Sequence, residues 1–104
     1  MKLKDDSVNF DGVDRTILHA CAVAEPIMEK WGEFVVTSAN DGRHSKNSLH
    51  YKGKAVDIRI WALKNDEDKT QAIRELKLAL GSDYDIVLEP DHIHIEYDPK
   101  GTLL

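Results

Sequence analysis

In the stretch Ser48-Leu49-His50-Tyr51-Lys52-Gly53-Lys54-Ala55-Val56-Asp57-Ile58-Arg59-Ile60-Trp61, the second half alternates small or apolar residues with charged ones. A period of two marks a half-buried strand, so Asp57 and Arg59 share one face while Val56, Ile58 and Ile60 take the other. Upstream, His50 stands seven residues before Asp57 with Gly53 between them, so a loop can carry the imidazole back towards the start of that strand.

Working outward, Phe34-Val35-Val36-Thr37-Ser38-Ala39 reads as a further strand, followed by a polar loop from Asn40 to Asn47. Before it, Val13, Ile17, Cys21, Ala24, Met28 and Trp31 recur at helical spacing, with Asp11 placed to cap and Gly32 to stop. After Trp61, Asn65 begins a second helix in which Asp66, Glu67 and Asp68 favour the positive N-terminal end. Ile73, Leu76 and Leu80 give its apolar stripe, and Gly81 ends it. Tyr84 to Leu88 and His92 to Tyr97 form a hairpin through the turn Glu89-Pro90-Asp91. This element order predicts an α+β domain, a largely antiparallel sheet with two helices, filling residues 1–104 as one unit.

The composition narrows the function. A formal net charge of -5 and a pI near 5.4 leave no basic footprint for nucleic acid. No run of 18 or more apolar residues is present, so no membrane contact is expected, and the N-terminal Met1-Lys2-Leu3-Lys4-Asp5-Asp6 lacks the apolar stretch of a secretory signal. A cytoplasmic monomer is the resulting expectation. Cys21 is the single cysteine and falls in the first helical stripe, where a buried thiol is the ordinary state. With no Gly-x-Ser-x-Gly elbow either, serine and cysteine hydrolase chemistry is disfavoured.

The chemistry gathers at histidine. Of five histidines, His44, His50, His92 and His94 lie in or beside the polar loop and the terminal hairpin, while His19 in the first helix reads as structural. Alternation places His92, His94 and Glu96 on one side of the last strand. Two imidazoles and a carboxylate suit a catalytic zinc that keeps a fourth position for water. By itself a His-x-His is common in surface hairpins, and an outward Asp57 paired with Lys54 or Arg59 is the plain alternative.

The segment Ser48 to Asp57 resembles the S-x-H-x-x-G-x-A-x-D signature of the superfamily that contains zinc D-Ala-D-Ala carboxypeptidases, vancomycin-resistance dipeptidases and phage L-alanyl-D-glutamate endopeptidases, with Hedgehog signalling domains as relatives. Glu89-Pro90-Asp91-His92-Ile93-His94-Ile95-Glu96 resembles the second half of that site, a carboxylate shortly before a histidine on the final strand. The resemblance implies zinc held by His50, Asp57 and His94, with His92 an accessory group on the reacting carbonyl and Asp91 the general base. Glu89 is the rival base, and fits if His92 is the ligand instead. Arg43 resembles the arginine that stabilises the developing oxyanion, and Ser48 the serine that contacts a substrate carboxylate or caps the turn before His50. Glu96 is placed to orient a ligand imidazole. The function so implied is a zinc peptidase on bacterial peptidoglycan stem peptides, encoded by a phage or prophage as an endolysin-like enzyme and released to the wall at lysis. The alternative is a non-catalytic zinc-binding module.

Overall fold

The computed structural model describes residues 1–39 and 53–99. In chain order the elements are β1 (Lys2–Leu3), α1 (Arg15–Met28), β2 (Val35–Ser38), β3 (Ala55–Arg59), α2 (Asp66–Leu80), β4 (Tyr84–Leu88) and β5 (His92–Tyr97). The five strands form one sheet in the order β1-β2-β3-β5-β4. Only β1 and β2 run parallel; every other pair is antiparallel.

Both helices carry one buried stripe. In α1 it is Ile17, Ala20, Cys21, Ala24 and Met28, and in α2 it is Ala72, Leu76 and Leu80. These pack in one core with Val36, Val56, Ile58, Ile86, Ile93 and Ile95 of the sheet. Residues spaced by two on a strand share a face, so burying Val56 and Ile58 beneath the helices turns Asp57 and Arg59 to the opposite side. The same reasoning fixes β5, where buried Ile93 and Ile95 alternate with half-buried His92, His94 and Glu96. The result is two layers, helices on one face of the sheet and a polar row on the other. No helix among the described residues is long and apolar enough to cross a membrane.

The termini of the elements follow local chemistry. Asn65 caps α2, its side chain accepting from the Asp68 N–H at 2.8 Å, and the acidic first turn is the solvated helix start read from the sequence. The turn between β4 and β5 is closed by the Glu89 N–H donating to the His92 carbonyl at 2.9 Å. Three expectations shift. The cap of α1 is Asp14 and not Asp11: Asp14 accepts from the Thr16 N–H at 3.0 Å, and its own N–H donates to the Gly53 carbonyl at 2.8 Å. That second bond is tertiary, so the sequence around Asp11 carries no trace of it. His19, read as structural, lies exposed on the outward side of α1. The two-residue β1 was not anticipated, because so short a strand carries no readable period.

Candidate metal centre

The site is built across the β3–β5 pair. Register places Asp57 opposite His94 and Arg59 opposite His92. Side chains directly opposed on one face come within about 5 Å, and the observed contacts follow. His94 Nδ1 lies 2.8 Å from Asp57 Oδ1, and His94 Nε2 lies 2.7 Å from Glu96 Oε1. His92 Nε2 lies 3.6 Å from the same Asp57 oxygen, while His92 Nδ1 meets Asp91 Oδ1 at 2.6 Å. Asp57, His92 and His94 each offer a ligand atom, all within 4.8 Å of one another.

The electrostatics agree with the geometry. Both His94 nitrogens face carboxylate oxygens, which favours the doubly protonated ring. Its pKa is raised above the ordinary value, chiefly by the Asp57 hydrogen bond and further by Glu96, with burial acting in the opposite direction. Cys21, in contrast, is buried in the helix layer, where desolvation pushes its thiol up to about 11. It takes no part in this face.

Each residue read from the sequence has a definite standing. Asp57, His92 and His94 are brought together, and Glu96 holds the second nitrogen of His94 as an orienting carboxylate does. Asp91 is largely exposed and touches the site through His92. Glu89 follows β4 in the hairpin turn and meets His92 through its backbone N–H. His50, Arg43, Ser48 and His44 lie outside the described residues. The sequence did not point to Lys4, Thr37 or Trp61, which line a cavity beside His92. The sequence reads the strand through Trp61, whereas β3 ends at Arg59 and Trp61 lies in the turn that follows.

The donor set fits zinc: imidazole nitrogens and a carboxylate oxygen suit its borderline softness, and a second carboxylate fixes one ligand ring. Residues 4–97 match the family described as the Hedgehog amino-terminal signalling domain. The chain belongs to that family. It is 33% identical over 99 residues to an Indian hedgehog protein of Gallus gallus, covering 86% of this chain and 23% of that protein. It is 31% identical over 107 residues to the Indian hedgehog protein of Xenopus laevis, covering 94% and 25%. With a Sonic hedgehog protein of Danio rerio it shares 32% identity over 99 residues, covering 86% and 23%. The chain thus spans about a quarter of the length of these Hedgehog relatives. The family match takes in α1 to β5, including the whole β3–β5 pair that carries the site.

Proposed function

We propose that this member of the Hedgehog-domain family is a zinc-dependent peptidase acting on peptidoglycan stem peptides. The observation that carries the reading is the convergence of Asp57, His92 and His94 beside a further carboxylate, that of Asp91. A zinc with a structural role needs no acid–base group, whereas here the Asp91 carboxylate bonds Nδ1 of His92 within the cluster.

Asp57 and His94 hold the ion together with His50, and His92 is the accessory group. A zinc ion there supplies Lewis acidity towards a peptide carbonyl and lowers the pKa of water to about 7. The chain's own residues do the rest. Asp91 accepts from the His92 Nδ1–H, which leaves the Nε2 lone pair to accept a proton, and once protonated that nitrogen can donate to a carbonyl oxygen. The Asp91–His92 pair is therefore the acid–base unit, and Glu89 is the alternative carboxylate for the same task. Glu96 holds Nε2 of the His94 ring, whose Nδ1 faces Asp57. Arg43 and Ser48 serve the oxyanion and a substrate carboxylate.

The bond cut is either D-Ala-D-Ala or L-Ala-D-Glu. The chain acts as a monomer, as a phage or prophage endolysin that is cytoplasmic until lysis brings it to the wall. A second reading is a non-catalytic zinc module, favoured by the description of the matched family as a signalling domain. One experiment separates them: zinc content of the purified protein, paired with digestion of a stem peptide that contains both bonds. About one zinc per chain with cleavage supports the peptidase and names its bond. Zinc without cleavage supports the binding module, and absence of zinc refutes both.

A further inference from the structure

Beside His92 the polar face carries a cavity of about 380 Å³ whose lining includes Lys4, Asp57, Arg59, Trp61, Asp91 and His92. Its carboxylates are already engaged, Asp57 with His94 and Asp91 with His92. Its cations are not: the ion pairs among the described residues include neither the Arg59 guanidinium nor the Lys4 ammonium. Asp5 feels the charge of both Lys4 and Arg59, but its carboxylate is bonded to the Ser7 N–H and hydroxyl. In a chain of net charge -5, these two cations offset the Asp57 and Asp91 carboxylates of the same cavity.

Arg59 is also held in place. Its guanidinium carbon lies 3.6 Å from the centre of the Trp61 ring, while the indole is 69% exposed. Stacking fixes the guanidinium plane and leaves the in-plane N–H fork for an acceptor. Lys4 reaches the rim because β1 pairs with β2, the Lys4 N–H donating to the Val36 carbonyl at 2.8 Å. Arg59 is the register partner of His92, so their Cα atoms stand roughly 5 Å apart. A group bound by the fork therefore lies one side chain away from the acid–base pair.

We infer that Arg59, stacked on Trp61 and seconded by Lys4, is a carboxylate-recognition subsite that fixes the peptide substrate beside the metal centre. The inference rests on the peptidase reading for its role but not for its chemistry. A stem peptide offers two carboxylates, the C-terminal one and the α-carboxylate of its D-glutamyl residue.

The test uses the full zinc-loaded chain and three peptides: the unmodified stem peptide, its C-terminal amide, and its D-glutamyl α-amide. A hydrogen bond to a charged group at this strength predicts a kcat/KM roughly 10- to 100-fold lower for one amide, carried by KM. Arg59→Gln should remove that preference while retaining zinc and cleaving the amide as the wild type does. Which amide is discriminated names the carboxylate. Cleavage of all three with equal KM, or an Arg59→Gln variant that keeps the preference, overturns the subsite and leaves the peptidase standing. If no peptide is cleaved, the peptidase reading falls, and the Trp61 indole N–H resonance is titrated with the same peptides, Trp31 serving as reference. A shift produced by one carboxylate, absent with its amide and absent in Arg59→Gln, upholds the subsite; identical behaviour of all three overturns it.

Discussion

Gly53→Ala should destabilise the protein far more than loss of one hydrogen atom suggests. Gly53 has φ +71°, and an added Cβ would fall well inside van der Waals contact with the Gly12 carbonyl oxygen and 3.2 Å from the Asp14 nitrogen. Adopting the left-handed region costs an alanine about 1–2 kcal/mol. The clash is with backbone, so the Gly12–Asp14 segment must move, which adds about 1–3 kcal/mol as overpacking does. The total, about 3 kcal/mol, corresponds to a fall in Tm of roughly 12–24 °C for a domain of this size. Gly81→Ala is the internal control: its φ is +83°, yet an added Cβ there meets nothing within 4 Å, so only the conformational cost applies. Thermal melts of the three metal-free proteins by circular dichroism decide the matter. A Gly53→Ala protein melting within about 3 °C of wild type, or no lower than Gly81→Ala, would refute the reasoning.

Further outcomes concern the site and its supports. Asp57→Ala and His94→Ala should each abolish stoichiometric zinc in metal analysis. His50→Ala should do the same while His92→Ala retains the ion, and the reverse result would exchange the roles of the two histidines. Glu96→Gln should weaken zinc by roughly 10–100-fold in competition with a chelator, as loss of an orienting partner does. Asp91→Asn should keep zinc and lose turnover; if Glu89→Gln alone is inactive, Glu89 is the base. Because the folded pKa of His94 is raised above its ordinary 6.5, the metal-free protein gains stability that is fully present below that pH and is lost as pH rises through the folded value. Zinc requires the deprotonated ligand, so the Tm difference between loaded and metal-free protein should widen with pH across the same window. Asn65→Ala should cost about 1 kcal/mol in urea denaturation through the lost cap of α2.

How much of this was legible in the sequence depended on whether the determining contact was local. The hairpin was readable because Glu89-Pro90-Asp91 is turn chemistry between two apolar-alternating runs. Strand β3 was readable because Val56 and Ile58 alternate with Asp57 and Arg59, and α2 because a cap, an acidic turn and a glycine stop coincide. Asp14 and Asp11 are chemically alike as caps, and the choice is made by Gly53, nearly 40 residues away. At the site, the common face of His92, His94 and Glu96 follows from a period of two, and the nearness of Asp57 followed from the resemblance. The Lys4 and Thr37 walls of the cavity were hidden because Lys4, just after β1, and Thr37, on β2, are placed by a strand register that no local pattern announces.

The pairing of β3 with β5 has a kinetic meaning as well. Asp57 and His94 are 37 positions apart in the chain, with α2 and β4 intervening, and neither strand holds the cluster alone. Loop closure over that span must precede any contact between them. The candidate metal cluster thus cannot form before β3 and β5 pair, and an ion captured by both residues would report that the central sheet has closed. For a protein first made in a metal-poor state, arrival of zinc would act on the finished fold as a latch, slowing its opening without hastening its assembly.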